Sequence, residues 1–178
     1  MTPRRDRRLA GVLLTALGVL LGGWALSQLA PTHAPVPVPL PPQHGAELRQ
    51  RFDAAVLLLH AKQFEPAVQA WQQVLELAPR LPEAHVNMGF ALIGQQRVAA
   101  ARGFFESATA LKRDQANAYY GLALAHEGLG DLELALGAMR SYLHLARGED
   151  EAHLRRARSA LWEWEARLAQ QRALAKAP

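Results

Sequence analysis

The chain has 178 residues, of which half are hydrophobic, a fifth charged and 7% aromatic, with a net charge of +4 and no cysteine. That leaves room for a membrane anchor and one small domain, and the composition suits a helical globule rather than a disordered tail. Without cysteine there is no disulfide framework, cysteine nucleophile, Cys-ligated zinc or lipoprotein-type acylation. The basic balance suggests a nucleic-acid binder only until the charges are located. Arg4, Arg5, Arg7 and Arg8 against Asp6 give +3 in the first eight residues, and the remainder carries 16 basic and 15 acidic residues. A nucleic-acid partner is therefore not expected.

Residues 1–8 read as a basic cytoplasmic stub. Leu9 to Ala30 follows as 22 residues without a charge. As a helix it spans ~33 Å, enough to cross a bilayer core. Basic residues stay on the cytoplasmic side, and Trp24 near the far end suits the interface. The expectation is one transmembrane helix over 9–30, with the N-terminus cytoplasmic and the rest of the chain outside. In a bacterium, which the Arg-, Ala- and Leu-rich usage suggests, that places the domain in the periplasm at the inner membrane. A cleaved signal peptide is the competing reading, with Ala25-Leu26-Ser27 as its small-residue site. Gly18 and Gly22 form a GxxxG, a spacing that lets two membrane helices approach closely.

Residues 31–45 read as a Pro-rich linker, with six prolines in the twelve positions 31–42. Polyproline II at ~3.1 Å per residue makes it a stiff spacer of ~35 Å.

From residue 46 to 149 the sequence repeats with a period of 34. Ala67, Ala101 and Ala135 share a column, followed by Trp71, Phe105 and Met139, then Val74, Ala108 and Tyr142, then Leu77, Leu111 and Leu145. Upstream stand Ala54/Met88/Leu122, the small set Ala55/Gly89/Ala123, and Leu58/Leu92/His126, while Phe64, Val98 and Leu132 precede each second run. This pattern resembles the tetratricopeptide repeat, a 34-residue helix–turn–helix with small residues where helices cross and large ones between them. Three units follow, at 48–81, 82–115 and 116–149. Pro79 closes the first, while Arg113 and Arg147 stand where the later closing prolines would be, and Arg51 and His85 where a large apolar residue is usual. The resemblance implies an all-α, right-handed superhelix preceded by the transmembrane helix.

Local chemistry agrees with three helical pairs: Asp131 is placed to cap the last one, Gly128 and Gly130 break the helix before it, and Pro66 fits a first turn. Residues 150–178 supply a C-terminal capping helix and tail. Its apolar stripe is Leu154, Ala157, Leu161, Trp164 and Leu168. Trp162 lies off that stripe, as a covered surface side chain or a partner contact.

No metal or catalytic constellation emerges. The seven histidines form no His-Glu-x-x-His and no i,i+4 pair. Glu163 and Glu165 point apart on their helix, and neither a nucleophile elbow nor a phosphate-cradling loop is present. The expectation is a non-enzyme with no cofactor, no metal and no small-molecule substrate.

The resemblance implies that the first helix of each pair lines an inner groove for a protein or peptide partner. Its lining would be Phe52, Val56 and Leu59, then Val86, Asn87, Phe90 and Ile93, then Asn117, Tyr120 and Leu124. Asn87 stands where family members often hold a peptide backbone, whereas the basic positions of the carboxylate-clamp subfamily hold apolar or acidic residues. A greasy groove with a few backbone-reading amides follows, unless part of the lining is core and the C-terminal helix closes the groove. The implied function is a membrane-anchored scaffold or adaptor that helps assemble a cell-envelope complex. The alternatives are a periplasmic chaperone-like subunit holding a client such as an apocytochrome, and an oligomeric structural protein assembled through its transmembrane helix.

Overall fold

Each unit carries two runs with apolar residues at three- and four-residue spacing, parted by three residues that do not continue either stripe. Each run is a helix. The computed structural model describes residues 37–40 and 45–176. The helices are α1 (Ala46–His60), α2 (Phe64–Leu77), α3 (Pro82–Gly94), α4 (Val98–Leu111), α5 (Ala116–Gly128), α6 (Leu132–Leu145) and α7 (Glu151–Ala175). All described residues fall in the unit from Pro35 to Pro178. The transmembrane expectation for 9–30 and the pair Gly18 and Gly22 lie outside them. No helix among the described residues is long and apolar enough to cross a membrane.

The three hairpin turns share one backbone device. Lys62, Gln96 and Gly130 stand 34 residues apart, and each takes a positive φ, of 56°, 61° and 86°. The left-handed residue reverses the chain so that the second helix can start at once, and only the third turn uses the residue that adopts it without strain. The expected side-chain cap from Asp131 is not made. With ψ near 67° Asp131 is not in the extended conformation that aims a cap at the helix N-terminus. Its backbone does the work, the N–H donating to the His126 carbonyl at 2.9 Å and the carbonyl accepting from the Ala135 N–H. Pro66 does sit in the first turn of α2, and Gly128 is the last residue of α5.

Four of the period-34 columns are buried throughout, among them Val74/Ala108/Tyr142 and Ala55/Gly89/Ala123, whereas Leu77 of the last column is 49% exposed and Ala54 is exposed. Trp71, Phe105 and Met139 are fully buried, as are Ala67, Ala101 and Ala135. Small residues let helices approach these large ones. A Cβ built on Gly89 or on Gly121 would run into the Phe105 ring, so that ring fills the space where α4 crosses both α3 and α5. Phe52 meets Trp71 edge-on at 4.8 Å inside the first hairpin.

Helix neighbours define the curvature. Consecutive helices pack against each other, α1 touches α3, and α3 touches α5, whereas α2, α4 and α6 do not touch one another. The first helices therefore form the inside of the bend. At the end, α7 packs on α6 through Ala157, Ala160 and Trp164, which are buried, with Leu154, Leu161 and Leu168 partly so. Ion pairs from Arg140 to Glu165, Arg167 to Glu127 and Arg172 to Glu133, at 2.6–2.7 Å, tie α7 to α5 and α6.

Candidate peptide-binding groove

The inner side of α3 carries Asn87, and its surroundings are apolar by design of the repeat. Val86 just before it and Phe90 three residues after it are buried, Leu59 of α1 is buried, and Val56 and Ile93 are half-buried. From α5 come Tyr120 and Leu124, also half-buried against the same cluster. A polar amide fully buried in such a setting needs partners, or it costs ~1–3 kcal/mol.

Asn87 has them, and they come from the Pro-rich segment. The Val38 N–H donates to Asn87 Oδ1 at 2.8 Å, and Asn87 Nδ2 donates to the Val38 carbonyl at 3.0 Å. One side-chain amide thus reads both backbone groups of one residue, which suits a group with an acceptor and a donor side by side. Val38 is 8% exposed and belongs to the core cluster, and Leu40 packs against it. Pro37 is buried and Pro39 exposed. The described part of the expected spacer, 37–40, therefore lies on the repeats. Burial of Pro37 and Val38 favours this placement, and the prolines lower the conformational freedom that docking costs.

The anticipated lining residues divide by depth. Phe52 turns to Trp71 in the first hairpin. Phe90 meets Phe105 edge-on at 5.1 Å and lies 6.4 Å from Tyr120, so both phenylalanines are core side chains beneath the groove. Val56, Ile93, Tyr120 and Leu124 remain the partly exposed apolar wall. Asn117, in the first turn of α5, is half-buried. Trp162 is 75% exposed on α7.

Tyr120 continues the inner face toward the last hairpin, with its ring 5.1 Å from Tyr142. Burial first, and then the neighbouring Tyr142, push the Tyr120 hydroxyl up to about 12 against a smaller opposing pull from Arg156. The wall is therefore uncharged at neutral pH. The buried carboxylate of Glu83 lies in the first turn of α3, with Lys112 at 3.8 Å. Sequence reasoning missed Val38, Leu40 and Glu83. The alternation of Pro and apolar residues was the available signal for the first two. Among the described residues no group of three or more His, Asp or Glu is placed to hold a metal ion.

This arrangement is a helical-hairpin solenoid with an extended segment on its inner side. A tetratricopeptide repeat family model matches residues 58–126. The fold is that of the tetratricopeptide repeats. The TPR domain of Sgt2 from Aspergillus fumigatus is similar over 75% of this chain and 87% of its own, at 20% identity and a TM-score of 0.66. The type III secretion translocator chaperone SycD of Yersinia enterocolitica matches 71% of this chain and 90% of its own, at 13% identity and a TM-score of 0.66. PcrH, solved with the chaperone-binding region of PopD, matches 72% of this chain and 98% of its own, at 20% identity and a TM-score of 0.65. No curated protein sequence matches the chain.

Proposed function

We propose that this protein is a non-enzymatic, membrane-anchored adaptor that binds an extended segment of a partner protein on the inner face of its repeats. The observation that carries the reading is the Asn87 amide, fully buried and engaged with both backbone groups of one residue, Val38, set between two prolines. A side chain placed that way reads main chain, so it fits any extended segment whose apolar side chains suit the wall of Val56, Ile93, Tyr120 and Leu124. We read the uncharged stretch 9–30 behind the basic cluster as the anchor; that order of charges favours repeats on the non-cytoplasmic side, which in a bacterium is the periplasm. There the adaptor would hold a partner during assembly of an envelope complex.

The likeness to SycD and PcrH favours a second form of the same reading, a chaperone with transient clients. Photo-crosslinking in native membranes separates the two. A photoreactive residue replacing Ile93, on the half-buried wall, is expected to give one dominant protein adduct for a dedicated adaptor. Many weak adducts would make it a client chaperone. No intermolecular adduct from Ile93 or from Leu124, in folded protein, would sink the groove as a binding site.

A further inference from the structure

Four features set residues 37–40 apart from an ordinary linker. Every residue of 36–40 that is not proline precedes a proline, a position biased toward extended backbone. Within Pro37-Val38-Pro39, Val38 owns the one N–H, because proline has none, and Asn87 accepts it. The residue that makes this bond is also the one whose side chain enters the core. Val36, Val38 and Leu40 recur every second residue, so the segment offers the same kind of residue at three registers.

We propose that residues 37–40 are the resident occupant of the groove. A partner enters by displacing them with a segment of the same chemistry: extended, uncharged and proline-alternating, with a β-branched or similar apolar residue whose N–H and carbonyl meet Asn87. This rests on the reading of the groove as a binding site and adds its selectivity and its control. The make-up of the occupant argues for that partner, since residues 36–40 carry no formal charge and Val38 and Leu40 join an apolar cluster. Tethering argues for the control. Only five residues separate Leu40 from the start of α1, and a short tether presents its segment at an effective concentration of ~mM. A free peptide of equal intrinsic affinity competes only above that concentration, so the groove is reserved for partners that bind better or are themselves held close.

The test uses the full chain and reads amide hydrogen exchange across residues 35–40, whose amides are those of Val36, Val38 and Leu40 alone. Val38 should exchange at least about tenfold more slowly in the wild type than in Asn87→Ala. A synthetic peptide of residues 34–42, added in excess, should restore fast exchange at Val38. The same peptide should bind Val38→Asp at least about tenfold more tightly than the wild type, because a buried carboxylate expels the resident segment. Circular dichroism melting confirms that both variants stay folded, and Val38→Gly repeats the comparison without a charge. Equal Val38 exchange in wild type and Asn87→Ala overturns the occupancy, whatever partner the groove binds. Equal peptide affinity for wild type and both Val38 variants overturns the competition but leaves the proposed function standing. Slow exchange at Val38 with no peptide entering any of the proteins, and no crosslinked partner at Ile93, overturns both. Protection that falls on dilution assigns the occupant to a second copy and overturns the intramolecular form.

Discussion

At residue scale the left-handed turn positions are the clearest case of a shared geometry met by unequal residues. Lys62 and Gln96 hold positive φ with a side chain, and Gly130 holds it without one. The left-handed conformation costs a non-glycine residue ~1–2 kcal/mol, while glycine loses ~0.5–1 kcal/mol of chain entropy. Gln96→Gly is expected to be neutral to stabilising by up to about 1 kcal/mol, and Gly130→Ala to destabilise by about 1 kcal/mol, as read by urea denaturation. A destabilising Gln96→Gly or a stabilising Gly130→Ala would mean the turns are held by something other than φ. Tyr120 gives a pH prediction. Its hydroxyl titrates near 12 in the folded chain against 10.0 for an unperturbed tyrosine, so the neutral form is the one the fold favours. That stabilisation is complete below pH 10 and is lost as pH rises through 12, because the unfolded chain gives up the proton first. Stability should therefore fall across that window, and Tyr120→Phe should flatten the fall.

The element scale is governed by what helices need in order to cross. Gly121 sits against the Phe105 ring, and a larger residue there must push α4 and α5 apart. Gly121→Val is expected to cost ~1–3 kcal/mol through overpacking. Gly103 and Gly137 lie on exposed helix faces with nothing near a built Cβ, so Gly103→Ala and Gly137→Ala should each add ~0.5–1 kcal/mol from helix propensity. Thermal melts of the three variants check the contrast. A stabilising Gly121→Val would show that the Phe105 ring has space to move. Much of this was legible in the sequence. The columns Ala67/Ala101/Ala135 and Trp71/Phe105/Met139 repeat at the period of the hairpin and are all fully buried. The turn conformation of Lys62 and Gln96 was not legible, since neither residue type announces positive φ. The missing Asp131 cap has the same origin: residue type marks the helix start but does not fix ψ.

For the whole molecule, stacking sets a one-dimensional order of stability. Each hairpin buries its faces only against its neighbours, so the ends depend on their caps. Trp164 is 4% exposed and is the largest side chain that α7 places on the last hairpin. Trp164→Ala is expected to cost ~3–5 kcal/mol locally, and hydrogen exchange should rise in α6 and α7 before α3 and α4. Uniform exchange along the chain would instead make the repeats one cooperative block. The surface pairs of Arg140, Arg167 and Arg172 orient α7 and contribute ~0–1 kcal/mol each, so added salt should loosen the cap little.

The sequence by itself determined the repeat, its period, the buried columns and the apolar stripe of the terminal helix. Each of these is local periodicity, which helical geometry converts directly into which face is buried. The family resemblance placed Asn87 where an asparagine often holds a peptide backbone. Only the tertiary structure decided that the backbone it meets is that of Val38, 49 residues away in the same chain. No periodicity relates a Pro-rich segment to a helix position so distant, because their meeting depends on how the first helices bend into an inner face. The same bend decided that Phe52 and Phe90 face Trp71 and Phe105 beneath the groove, leaving Val56, Ile93, Tyr120 and Leu124 to form its wall.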